Sequence, residues 1–313
     1  MKESTLMALL ERAEGVLCRL EGLLPAPPQP PDWNAAVAFR WRRRGAVARL
    51  EPVTRVAAMA LEALREVDAQ KERLLRNTQQ FVQGQPANNV LLTGARGTGK
   101  SSLVRACLGA FASQGLRLIE VDKSDLVDLP DIAALTAGRP ERFVVFCDDL
   151  SFEEGESGYK ALKSMLDGSI AATEGNVLIY ATSNRRHLLP ERMQDNLGST
   201  RGSYGEIHPG EAVEEKISLS ERFGMWISFY PFSQDEYLAI VSQWLRHHGV
   251  DEAAIQAAQS DALVWALERG SRSGRVASQF ARDLAGRLAL GAAALQPQAA
   301  NKETEVPQEL DDA

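Results

Sequence analysis

The residues Gly94-Ala95-Arg96-Gly97-Thr98-Gly99-Lys100-Ser101 space three glycines, a lysine and a hydroxyl as G-x4-G-K-[ST]. Glycines in such a loop let backbone N–H groups turn inward around oxyanions, and a helix that follows adds the positive end of its dipole. In this pattern Lys100 reaches the β- and γ-phosphates of a nucleoside triphosphate and Ser101 ligates Mg2+. The apolar run Val90–Thr93 precedes the loop and the helical run Ser102–Phe111 follows it, so the setting is strand, loop, helix. The expected phosphate contacts are Gly94, Ala95, Arg96, Gly97, Thr98, Gly99, Lys100, Ser101 and Ser102.

A second group of chemically competent residues closes the apolar run Phe143-Val144-Val145-Phe146-Cys147 with Asp148 and Asp149. A buried strand ending in carboxylates delivers them to the sheet edge where a nucleotide would lie. Asp148 is expected to hold the Mg2+, directly or through water. Asp149 stands where a carboxylate would orient an attacking water, with Glu153 and Glu154 as competitors for that task. The plainer alternative is a pair of strand-end acids capping the next helix.

These residues need a scaffold, and the chain from Asn89 supplies one by alternating short apolar runs with longer helical patterns. Val90–Thr93, Leu116–Val121, Phe143–Cys147, Val177–Thr182 and Ile227–Tyr230 are the expected strands, which makes an α/β fold with a parallel five-stranded sheet and flanking helices. After Pro231 the pattern is helical only, over Gln234–His247, Asp251–Glu268 and Gly274–Leu290, as expected for a small all-α lid.

Ahead of the core, Leu6, Leu9, Leu10, Ala13, Val16, Leu17, Leu20, Leu23 and Leu24 define an amphipathic helix, which packs on the body or docks a partner. Pro25–Pro31 stops it with an extended connector. Asp32 to about Phe81 is expected to be a helical extension; its Trp33, Phe39 and Trp41 beside Arg40, Arg42, Arg43 and Arg44 anchor it to the body or stack on nucleic-acid bases. The expected divisions are 1–31 for helix and linker, 32–88 for the helical extension, 89–232 for the core, 233–292 for the lid and 293–313 for a disordered acidic tail.

The formal net charge of −7 includes five acids and one lysine in the last thirteen residues, leaving −3 for the rest, which argues against wholesale binding of nucleic acid. Cys18, Cys107 and Cys147 are far apart and apolar in setting, so neither a disulfide framework nor a zinc spacing can be read from them, and a reducing cytoplasm is expected. No apolar run reaches the roughly 18–20 residues of a membrane span.

The order phosphate loop, Asp148-Asp149, Ser183-Asn184, Ser220-Glu221-Arg222-Phe223-Gly224 and Ser273-Gly274-Arg275 resembles the AAA+ ATPases over roughly Asn89–Leu290. More narrowly it resembles a bacterial ATP-binding family of that superfamily, the domain-of-unknown-function family 815, through Cys147-Asp148-Asp149-Leu150-Ser151-Phe152 and Thr182-Ser183-Asn184-Arg185-Arg186-His187.

The resemblance implies ATP with Mg2+, and adenine is preferred on its strength alone. It implies Asn184 as the polar sensor, apt because an amide donates and accepts at once. It implies Arg222 as an arginine finger acting on a neighbour's site, hence a homo-oligomer; the alternative is an ion pair with Glu221 or Glu215. It implies Arg275 as the second sensor, with Arg272 competing. Asp-Asp, where most of the superfamily has Asp-Glu, is similar to initiator-like and loader-like branches.

The polar stretch 195–210, with Gly198, Arg201, Gly202, Tyr204, Gly205, His208 and Gly210, is a surface loop or a contact for a substrate or neighbouring subunit. Neither an aromatic pore loop nor a DNA-reading module is visible. Three functions follow as expectations: an ATPase that drives or times remodelling of a partner, a nucleotide-gated binding module with slow hydrolysis, and a nucleic-acid loader. The client, protein or nucleic acid, is not legible.

Overall fold

The computed structural model describes residues 7, 12–15, 31–45, 47–56, 59–152, 156–167, 175–185, 200–201, 207–208 and 219–294. Most of the expected N-terminal helix and proline connector, Glu153, Glu154, Arg186, His187, Glu215 and the tail beyond 294 lie outside the described residues. The chain divides into two compact units, Met1–Pro231 and Phe232–Ala313.

The first unit contains strands β1 (Ala38–Arg44), β2 (Val47–Pro52), β3 (Val90–Gly94), β4 (Leu116–Glu120), β5 (Arg142–Cys147), β6 (Val177–Ser183), β7 (Thr200–Arg201), β8 (Ile207–His208) and β9 (Met225–Phe229). Helices α1 (Asp68–Val82), α2 (Lys100–Phe111), α3 (Leu129–Thr136) and α4 (Ser157–Leu166) accompany them. Seven strands form one sheet in the order β2-β1-β4-β5-β6-β3-β9, with β7 and β8 as a separate antiparallel pair inside the 195–210 stretch.

All pairings in the large sheet are parallel except β1 with β2. The inner strands β3, β5 and β6 are almost continuously buried, as parallel strands covered on both faces must be.

The sheet has two strands more than the five expected, because residues 38–52 form a hairpin rather than part of a helical extension. Phe39 and Trp41 alternate with Arg40 and Arg42, a period of two that puts the aromatics on one face and the guanidinium groups on the other. On the aromatic face Trp33 meets Phe39 and Phe143 edge-on, with centroids 5.0 and 4.7 Å away.

Asp128, fully buried, accepts hydrogen bonds from Trp41 Nε1 at 2.9 Å and from the Arg43 guanidinium. Arg40 donates to Glu120 at 2.7 Å across the register pair Arg40↔Glu120. The arginine-rich stretch therefore anchors an edge hairpin. Among the described residues, helix appears in the 32–88 region only as the turn Leu61–Ala63 and α1.

Helix α1 is tied to the sheet by a buried polar cluster. Asn77 Nδ2 donates to Tyr180 on β6 at 3.1 Å and to Asn88 O at 2.9 Å, and Thr78 Oγ1 lies 3.0 Å from the Tyr180 hydroxyl. Burial pushes Tyr180 up to about 12, with its bonds to Thr78 and Asn77 pulling the other way.

The second unit is helical among the described residues: α5 (Gln234–His247), α6 (Glu252–Ala257), α7 (Gln259–Glu268) and α8 (Gly274–Ala294). Ser233 and Glu236 form a capping box on α5, and Asp251 caps α6 by accepting from Ala254 N at 2.9 Å. Tyr237, wholly buried, donates to Ala262 O at 3.1 Å and so joins α5 to α7. No helix among the described residues is long and apolar enough to cross a membrane.

Candidate functional site

Strand β3 ends at Gly94, where φ is +128° and an added Cβ would lie 1.8 Å from the Phe229 carbonyl oxygen of β9. Only glycine lets the chain leave the strand that close to its neighbour. Gly97 (φ +74°) and Gly99 (φ +99°) then bend the loop through left-handed backbone, and Thr98 Oγ1 closes it by donating to Ala95 O at 2.8 Å. Helix α2 starts at Lys100, so the N–H groups of its first turn lie at the loop end of the helix.

Lys100 is buried and its ammonium donates to Gly94 O at 2.8 Å, Ala95 O at 2.7 Å and Asn184 Oδ1 at 3.0 Å. Asn184 uses the other end of its amide to donate to Asp149 Oδ1 at 2.5 Å. Because β6 lies between β3 and β5, a side chain one residue past β6 is placed between the loop lysine and the acid pair.

Asp148 takes hydrogen bonds from two hydroxyls and an ion pair from an arginine. Ser101 Oγ donates to its Oδ1 at 2.5 Å, Thr182 Oγ1 donates to the same oxygen at 2.6 Å, and Arg105 Nη2 lies 3.8 Å from Oδ2. Asp149 adopts left-handed backbone with φ +54°, a conformation that costs an L-residue roughly 1–2 kcal/mol. Thr182 holds that turn: its hydroxyl accepts from Asp149 N at 2.9 Å and its carbonyl accepts from Leu150 N at 2.7 Å. Burial, with the charges of Asp148 and Asp122 added, pushes the preceding Cys147 thiol up to about 12, so it stays a thiol at neutral pH.

Lys100, Asn184 and Asp149 are thus joined to Ser101 and Asp148 through Thr182 in one hydrogen-bonded set. Arg96 is exposed on the loop, and Ser102 follows Ser101 in the first turn of α2. Arg222 forms an ion pair at 2.5 Å with Asp167, a partner not considered from the sequence. Arg272 and Arg275 are exposed in the second unit, Arg275 in the first turn of α8.

Thr182 and Arg105 were missed. Arg105, four residues after Ser101 on one helix, lies on the same helix face as Ser101 and was open to discovery by that spacing. Thr182 is an ordinary strand residue by composition. The adjacent Ser101 hydroxyl and Asp148 carboxylate are hard oxygen donors, which fits Mg2+, a cation held by one or two carboxylates together with substrate phosphates.

Residues 34–288 match the family described as Protein of unknown function (DUF815). The chain belongs to this family. The DUF815 match takes in β1 and β2 as well as the loop, the acid pair and most of the helical unit. No curated protein shows significant similarity to the chain.

Among solved structures, the Thermotoga maritima RuvB Holliday junction branch migration motor is similar at 18% identity and TM-score 0.46, over 74% of this chain and 66% of that one. The Aeropyrum pernix ORC1 protein in complex with DNA is similar at 14% identity and TM-score 0.49, over 72% and 61%. A chain of the E. coli MS115-1 HORMA:CdnC:Trip13 complex is similar at 12% identity and TM-score 0.46, over 71% and 90%. The chain spans slightly less than two thirds of the RuvB and ORC1 chains. At these scores the fold rests on the strand order and the DUF815 match.

Proposed function

We propose that this DUF815 member binds ATP with Mg2+ at the 94–102 loop and hydrolyses the β–γ anhydride to drive or time the remodelling of a partner macromolecule. The observation that carries it is the Asn184 amide, which joins Lys100 Nζ to Asp149 Oδ1 and so links the loop to a carboxylate able to orient water.

In this reading the backbone from Gly94 to Ser102 and the N-terminus of α2 cradle the phosphates. Lys100 exchanges its loop carbonyls for β- and γ-phosphate oxygens. Ser101 and Asp148 would hold Mg2+, whose charge offsets that of the phosphates. Asp149 accepts a proton from the attacking water, and Asn184 positions that water against the γ-phosphate. Arg222, presented by a neighbouring copy, neutralises charge on the transferred phosphoryl group, which makes the working form a homo-oligomer. Arg275 is kept as the second sensor that the resemblance implies.

The client is proposed to be a protein rather than nucleic acid, because Phe39 and Trp41, 1% and 3% exposed, are unavailable for stacking on bases. A steady-state phosphate-release assay on the wild type and on Lys100→Ala tests the reading. Turnover in the wild type that is abolished by Lys100→Ala is the expected result. Equal rates from the two proteins would sink it. Stimulation by single-stranded or duplex DNA that disappears at high salt would return nucleic acid as the client.

A further inference from the structure

Thr182 is 2% exposed and sits near the end of β6, one residue beyond the register pair Cys147↔Ala181. Its hydroxyl has two partners of fixed character. A carboxylate oxygen, Asp148 Oδ1 at 2.6 Å, can only accept, and a backbone amide, Asp149 N at 2.9 Å, can only donate. The hydroxyl hydrogen therefore points at Asp148 and a lone pair at Asp149, with no second arrangement that satisfies both. The Thr182 carbonyl adds the bond from Leu150 N at 2.7 Å. One residue thus fixes the side chain of the first acid and the left-handed backbone of the second.

We propose that Thr182 is the positioning residue for the whole acid pair: it aims the Asp148 carboxylate at the metal-holding position beside Ser101 and, through the turn at Asp149, aims the second carboxylate at Asn184. This rests on the ATPase reading given above. β-branching suits Thr182 to its strand, and valine keeps that branching while putting a methyl group in place of the hydroxyl, so the hydroxyl distinguishes this role from simple filling of space. Replacing it with valine leaves a part-buried amide without its acceptor and a carboxylate without one of its donors.

The test compares the wild type, Thr182→Val and Thr182→Ser by ATP turnover, by binding of a fluorescent ATP analogue over a Mg2+ titration, and by thermal melting. Thr182→Val is expected to lower kcat by about 10- to 100-fold, the loss of one or two charge-linked hydrogen bonds. It should also raise the Mg2+ concentration at half-effect, while leaving analogue binding without Mg2+ within about 2-fold. Thr182→Ser should restore turnover to within about 3-fold of the wild type.

Wild-type turnover with an equally active valine variant overturns the proposal and leaves the ATPase reading standing. Equal impairment of the valine and serine variants does the same, since serine keeps the hydroxyl and the loss then traces to packing at the site rather than to the hydrogen bonds. A wild type with no Lys100-dependent nucleotide binding overturns both. A measurement independent of any variant is hydrogen exchange of the Asp149 amide, expected to be slow; exchange at the rate of an open loop overturns the proposal.

Discussion

In the proposed ATPase, Asp149 can accept a proton from water only while its carboxylate keeps its charge and its aim. Asp149→Asn removes the charge but retains the shape and can still hydrogen-bond the Asn184 amide, so ATP affinity should hold within about 3-fold while turnover falls by about 100-fold or more. Parallel binding and phosphate-release measurements check this, and an equal fall in both would mean the site has been distorted. Asp128 makes a contrasting case, since its partners are structural. Asp128→Ala leaves the buried Trp41 N–H without an acceptor and should cost about 1–3 kcal/mol in urea unfolding, with the loop chemistry untouched.

Elements β3 and α2 frame the loop, and two glycines in them make opposite predictions. Gly94→Ala puts a methyl group 1.8 Å from the Phe229 carbonyl at a φ of +128°, so β3 and β9 must part and the protein should lose solubility or melt far lower. Gly109→Ala, on the exposed face of α2 with nothing within 4 Å, should instead stabilise by about 0.5–1 kcal/mol. Melting curves of the two variants decide both. The same elements show what a sequence discloses. The glycine spacing and the apolar runs around Val90 and Phe143 signal a loop and buried strands because each depends on local chemistry. The hairpin of β1 and β2 was hidden by its composition: arginines flank Phe39 and Trp41, and a long helical pattern follows, although the alternation Phe39-Arg40-Trp41-Arg42 carries the period of a strand. Thr182 and the Arg222–Asp167 pair were beyond reach, since both depend on which distant segments the sheet order brings together.

For the molecule as a whole, the buried cluster at α1 sets an alkaline limit. Cys107 and Tyr180, ordinarily near 9 and 10, are both raised to about 12, chiefly by burial, so the folded chain keeps protons that the unfolded chain releases. Stability from these groups is fully present below about pH 9 and declines as pH rises toward 12. Urea midpoints should fall between pH 8 and pH 11, and Tyr180→Phe should flatten that fall. Assembly gives a second whole-molecule expectation. If Arg222 serves a neighbouring copy, specific activity should climb with protein concentration in the wild type and stay low and flat in Arg222→Ala; a flat wild-type profile would remove the trans role. In the proposed ATPase, the oxygens of Gly94, Ala95 and Asn184 around Lys100 also bear on how tightly the protein grips its ligand. An incoming triphosphate competes with carbonyl groups and an amide that already satisfy the ammonium, so measured affinity reflects an exchange of partners. Weakening the resident partners, for example at Asn184, should therefore tighten ground-state nucleotide binding even as it impairs hydrolysis.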